Sequence, residues 1–177
     1  MKTSLFLLLT LLFTTSISSA DELEELSRDL DTALEKQQYE QLEKHWNQLQ
    51  DRFGNQEGIT LLKKFVASDD SRSVSRFAAA MMVAETGTLS RIGPRKLWNT
   101  NLEAMELYLK NSGLLRKDAG RIKIDDEIAS LKVSATIEAM ENPPVQFLLW
   151  KVIVDYQLSF RLSDRNEIVI YRPSLKP

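Results

Sequence analysis

The chain has 177 residues, with 25 acidic and 23 basic side chains, one histidine and no cysteine. The missing cysteine excludes a disulfide scaffold and a cysteine nucleophile, and the lone histidine excludes any two-histidine metal or acid–base site. A near-balanced charge excludes the strongly basic footprint of a nucleic-acid binder.

Met1 to Ala20 has the three parts of a secretory signal peptide. Lys2 supplies a positive charge, Leu5 to Phe13 is apolar except for Thr10, and Ser18 and Ala20 place small residues at a cleavage site. A spanning helix wants about 20 apolar residues, so the segment is too short for an anchor. Cleavage after Ala20 leaves 21–177 as one expected α+β domain, a size that buries about 70% of its extended surface without staples. Export without cysteine points to a bacterial periplasm. Charge is uneven along this remainder: Asp21 to Gly58 carries 11 acidic and 4 basic side chains, a net −7. From Ile59 onward the chain carries 18 basic and 14 acidic residues, a net +4. Acidic helices of this kind face solvent, lie against a basic body or form an acidic binding arm.

Glu22 to Phe53 repeats apolar residues at helical spacing: Leu23, Leu26, Leu30, Ala33 and Leu34, then Tyr39, Leu42, Trp46, Leu49 and Phe53. The two stripes are out of phase, which predicts a break near Lys36-Gln37-Gln38 and two antiparallel helices, the second stopped by Gly54-Asn55. A short helix is expected over Glu57 to Ala67. Ser68 to Ser71 reads as a turn and cap cluster. The next helix is expected over about 73–85, with Val74, Phe77, Ala78, Met81 and Met82 inward. Gly87 and Gly93-Pro94 punctuate a connection. Thr100 and Glu103 fit a capping box, starting a helix with Leu102, Met105 and Leu109 in register that Gly113 is placed to end.

After Gly120 the period falls to two. Leu131, Val133, Ala135, Ile137 and Ala139 alternate with polar residues, as in a half-buried strand. Arg121 to Asp125 and Glu167 to Tyr171 read as further strands, with turns at Glu141 to Pro144 and Ser163 to Asn166. Pro143 to Leu162 is apolar enough to raise the question of a membrane span, but Lys151 and Asp155 interrupt it. Its even positions from Leu148 to Leu162 share one face if extended, so it reads as a long central strand. Eighteen extended residues would reach roughly 60 Å at about 3.3 Å each, so a bend or bulge is expected near the middle.

The expected fold class is therefore α+β: about five N-terminal helices (21–115) packed on a C-terminal curved antiparallel sheet of three to four strands (120–172). In outline this resembles the cone-shaped nuclear transport factor 2-like and cystatin-like folds, though no motif carries membership of either.

No nucleophile elbow, S-x-x-K pair or glycine-rich phosphate loop is present. His45 borders the Leu42/Trp46/Leu49 stripe and reads as a boundary histidine. Asp69-Asp70, Asp125-Asp126-Glu127 and Asp155 are available for acid–base work, whose test is their spatial separation. The acidic triplet lacks the alternating ligands of a calcium loop. No metal or cofactor is implied. Arg116, Lys117, Arg121 and Lys123, with Arg91, Arg95 and Lys96, form a basic set that reads first as a solvated face and otherwise suits an acidic partner or anionic head group. Candidate binding residues are Trp150, Tyr156, Gln157, Ser159, Arg161, Arg116, Lys117 and Arg121.

These features lead to a non-enzymatic exported binding or interaction protein with a protein partner, such as an immunity-type inhibitor or an envelope accessory subunit. A second reading is a carrier of an apolar or amphipathic small molecule, in a pocket lined by Trp150, Tyr156, Phe160 and Met82. A third is a carboxylate-dependent envelope hydrolase.

Overall fold

A computed structural model describes residues 18–68, 73–91, 98–111 and 122–173. The first 17 residues of the expected signal lie outside that range, while Ser18 to Ala20 form the cap and first turn of α1 (Ser19–Glu35). Ser18 Oγ accepts the Asp21 N–H at 3.2 Å and the Asp21 carboxylate accepts the Ser18 N–H at 3.3 Å, a reciprocal cap for otherwise free amides. α2 (Tyr39–Phe53) returns antiparallel, so that Glu22 meets Arg52 at 3.4 Å and Asp29 meets His45 at 3.8 Å.

The expected break at Lys36-Gln37-Gln38 is a Schellman closure. Gln38 N–H reaches the Ala33 carbonyl at 2.8 Å, Gln37 N–H reaches Leu34 at 2.9 Å, and Gln37 adopts a left-handed φ of 54°. α3 (Gln56–Ser68) follows, its Gly58 amide met by Asn55 Oδ1 at 2.8 Å. α4 (Val74–Val83) is buried on all sides except at Arg76, and Ala78-Ala79-Ala80 lets neighbouring elements approach closely. Its N-terminus is capped by Ser73 and, from α1, by Asp31, which accepts from Ser75 N–H at 3.1 Å and Ser75 Oγ at 2.8 Å. The Ser68 to Ser71 turn lies mostly outside the described residues.

The second half mixes short strands with two helices: β1 (Trp98–Asn101), α5 (Leu102–Asn111), β2 (Ile122–Ile124), β3 (Lys132–Ala135), α6 (Val145–Asp155), β4 (Ser159–Leu162) and β5 (Ile168–Tyr171). β1 and β3 form an antiparallel pair, and β2, β5 and β4 form a separate three-stranded sheet in that order. The Ser163–Asn166 turn joins β4 to β5 as expected, whereas β2 runs parallel to β5. The single antiparallel sheet is thus replaced by two small ones, one of them mixed. The likeness to cone-shaped folds with one bent antiparallel sheet goes with it.

The largest correction concerns Pro143 to Leu162, which is α6 followed by β4 rather than one long strand. From Val145 to Ile153 every residue except the half-buried Lys151 is buried, so the apolar pattern encircles the helix and carries no period. Pro144 fixes the entry and Lys151 bonds Asp155 at 2.8 Å one turn on. The exit is another Schellman closure, with Leu158 N–H on Ile153 at 2.9 Å and Gln157 at φ 54°.

Two smaller corrections are local. The cap of α5 is Asn101, whose Oδ1 accepts the Ala104 N–H at 2.8 Å, while Thr100 is paired with Val133 in β1. The 131–139 alternation is a strand only over Lys132–Ala135, although Ile137 remains buried. Gly113, the expected end of α5, lies outside the described residues.

Trp46, Phe77, Phe147, Trp150 and Phe160 form a continuous aromatic core that ties α2, α4, α6 and β4 together. Their centroid distances run from 5.3 Å for Phe77–Phe160 to 6.4 Å for Trp46–Phe77 and Trp150–Phe160. Such edge and tilted contacts add about 0.5–1.5 kcal/mol per pair beyond area burial. Two strand amides are met by side chains: Tyr156 Oη accepts Ser134 N–H at 2.7 Å and Glu106 accepts Ile124 N–H at 2.8 Å. Among the described residues no helix is long and apolar enough to cross a membrane.

Candidate functional site

α6 presents one stripe that is not sealed in the core: Phe147, Trp150, Lys151, Val154 and Asp155, at spacings of three and four. With Leu34 and Gln37 at the end of α1, Tyr39 and Leu42 at the start of α2, Val74 and Ile137, the stripe lines a groove of about 250 Å³. Val154 is 50% exposed here although it sits on the most apolar helix of the chain. The charges that line the groove, Lys151 and Asp155, neutralise one another. The groove therefore offers an apolar floor with a polar mouth, a form that recurs at binding sites.

Gln37 and Tyr39 also line an adjoining cleft of about 670 Å³ with Glu40, Glu43, Arg91, Met140, Glu141 and Asn142. Arg91 holds both oxygens of Glu43, at 2.6 and 2.7 Å, and also donates to the Asn142 carbonyl. Glu40 and Glu141 are exposed. The groove and the acidic cleft thus meet along the left-handed turn that closes α1.

A third cleft, of about 800 Å³, lies beside the 84–90 segment and is lined chiefly by uncharged polar residues, including Gln50, Gln56, Thr88, Ser90 and Asn166. That segment is held from below. Gln146 of α6, fully buried, donates to the Thr86 carbonyl at 3.1 Å and the Thr88 carbonyl at 2.7 Å and accepts from Ser90 N–H at 3.1 Å. Trp46 Nε1 donates to the Gly87 carbonyl at 2.6 Å. Every polar group in this network has a partner, so the loop is rigidly placed.

The candidate binding residues disperse. Trp150 packs on Phe77 in the core and reaches the groove floor with one side. Tyr156 spends its hydroxyl on β3, and Gln157 serves as the left-handed residue after α6. Ser159 and Arg161 lie on β4, where the Arg161 guanidinium sits 5.4 Å from the Tyr171 ring. Arg116, Lys117 and Arg121, like Arg95 and Lys96, lie outside the described residues. Trp150, Tyr156, Phe160 and Met82 do not share a cavity: Phe160 is core and Met82 borders the third cleft.

Among the acids, Asp31 stands out. Burial raises its carboxyl above the ordinary aspartate value of 3.8, against the lowering effect of the bonds from Ser75 and Val74. That carboxylate is committed to capping α4. Asp125 accepts the Glu127 N–H at 3.1 Å and so shapes its own turn. His45 bonds Gln48 at 3.0 Å and faces Asp29, as a boundary histidine on a charged helix does. No group of three or more His, Asp or Glu among the described residues is arranged to hold a metal.

Leu34, Tyr39, Ile137, Val154 and the acids beside them carry no motif. The signal that finds Val154 is the helical spacing 147–150/151–154/155, visible only once the segment is read as a helix, while Leu34, Tyr39 and Ile137 are brought to it by tertiary packing. Comparison with family models, with curated proteins and with solved structures finds no match to this chain.

Proposed function

We propose that this chain is a non-enzymatic, exported binding protein, acting in a bacterial periplasm, whose partner is another polypeptide that seats apolar side chains in the groove between α6 and the α1–α2 turn. The observation that carries the reading is Val154, half exposed beside the apolar floor of Leu34, Leu42, Ile137 and Trp150. At about 250 Å³ the groove has the capacity for one or two side chains, and it opens into the adjoining polar cleft rather than closing over a ligand, which suits a polypeptide anchor. A helix or strand laid across such a groove uses a few anchors and a polar rim.

A photo-crosslinking amino acid at position 154 tests this in envelope extracts. The expected result is a discrete adduct that a Val154→Asp competitor, folded by circular dichroism, fails to suppress while the unsubstituted protein suppresses it. Equal suppression by both competitors would count decisively against the groove.

A further inference from the structure

The acidic cleft beside the groove says what the occupant should look like. Three carboxylates, those of Glu40, Glu43 and Glu141, line that cleft against one cation, Arg91, which Glu43 already engages through both oxygens. The groove itself adds no net charge, because Lys151 and Asp155 are paired at 2.8 Å. The 21–58 segment, which supplies Glu40 and Glu43 as well as Gln37 and Tyr39, carries a net −7 in all. A chain seated in the groove and leaving past Tyr39 and Gln37, which line both cavities, passes directly into this negative region. An acidic occupant would meet repulsion there, and a basic one would gain charge pairs with the exposed Glu40 and Glu141 that a neutral one would not.

On the reading that the groove binds a polypeptide, we infer that its occupant is a cationic amphipathic segment, with apolar side chains in the groove and lysine or arginine against Glu40 and Glu141. The rest of the acidic surface then acts at longer range, steering a basic partner inward and raising the association rate at low salt. Such steering is screened beyond about 8 Å at physiological ionic strength. Only the carboxylates at the cleft contribute to the bound state itself.

Fluorescence anisotropy with labelled synthetic peptides is the test. Three peptides share the same leucine and phenylalanine positions and carry lysine, glutamine or glutamate at every polar position. The lysine peptide should bind tightest and the glutamate peptide weakest, with the gap narrowing as salt rises. Glu40→Gln with Glu141→Gln should weaken the lysine peptide by about 2- to 30-fold, as expected for two exposed charge pairs, and leave the glutamine peptide unchanged. Val154→Asp should weaken both.

If the lysine and glutamine peptides bind equally, and both lose binding in Val154→Asp, the cationic inference is overturned while the groove reading stands. If the lysine peptide binds but ignores Val154→Asp, it is adhering to the acidic helices and the inference also falls. If no peptide shows Val154-dependent binding, the inference and the groove reading fall together.

Discussion

Gln146 gives the sharpest test of the fold, because a fully buried glutamine on α6 joins two parts of the chain far apart in sequence. Replacing it by leucine keeps the volume and the helix but removes its bonds to the Ser90 N–H and to the Thr86 and Thr88 carbonyls, of which Thr88 still accepts from Ser90 Oγ at 3.3 Å. Each buried group left unpaired costs about 1–3 kcal/mol. Thr88 is exposed and Ser90 half-buried, so water relieves part of the loss there, while Thr86 stays buried. The expected net loss is about 2–4 kcal/mol, and with a urea slope near 2 kcal/mol/M it lowers the midpoint by about 1–2 M. Gln146→Glu keeps the acceptor for Ser90 but turns the two donor bonds into carboxylate–carbonyl contacts. Its folded-state pKa is therefore raised above the unfolded one. The variant should be most stable at low pH and lose stability as pH rises through that raised value. Urea unfolding followed by tryptophan fluorescence, across pH, measures both. A Gln146→Leu midpoint within about 0.3 M of the original would refute the staple.

Gln157→Gly should stabilise by about 0.5–1 kcal/mol, read as a higher melting temperature, since Gln157 holds φ 54° where only glycine is unstrained. The same holds for Gln37 and Glu85, at φ 54° and 58°. Asp31→Asn should flatten one step of the stability–pH curve. Burial raises the Asp31 carboxyl, so the original protein loses stability relative to the variant as pH rises from 3.8 through the raised value, as paired denaturation series would show. Trp46→Phe leaves the Gly87 carbonyl unpaired and should cost about 1–3 kcal/mol in urea unfolding.

The legible parts of the fold are those whose physics is local. α1 and α2 announce themselves by one apolar stripe each and a phase slip between them, and the Ser163–Asn166 turn by its polar run. What was not legible depends on distant partners. The parallel register of Ile122–Ile124 on Ile168–Ile170 has no local signature. The closure after α6 uses Gln157 in place of glycine, so the usual stop signal is absent there, whereas the closure at Gln37 betrayed itself through the phase slip between α1 and α2. α6 reads as strand because Val152, Ile153 and Val154 are β-branched and the helix is apolar nearly all round. Pro143-Pro144 before it and the Lys151–Asp155 spacing were the available counter-signals. The groove followed the same error: strand and helix both put Trp150 beside Val154, but only the helix adds Phe147 and Lys151.

Val154 separates stability from function. It is half solvated, makes no hydrogen bond through its side chain, and is the penultimate residue of α6, where a β-branched residue is a poorer helix former than lysine by a few tenths of a kcal/mol. Lysine there would also suit the helix C-terminus electrostatically. Folding alone therefore favours Val154→Lys, and its melting temperature should equal or slightly exceed that of the original. The partner contact pulls the other way, because an ammonium at the groove floor cannot be desolvated against Leu34 and Ile137 without cost and adds a repulsive charge to a cationic occupant. A variant that gains stability while losing its partner is the signature of a residue placed for binding. A Val154→Lys protein that unfolds early and binds as before would show instead that Val154 serves the core, and the docking site would have to be sought elsewhere on the surface.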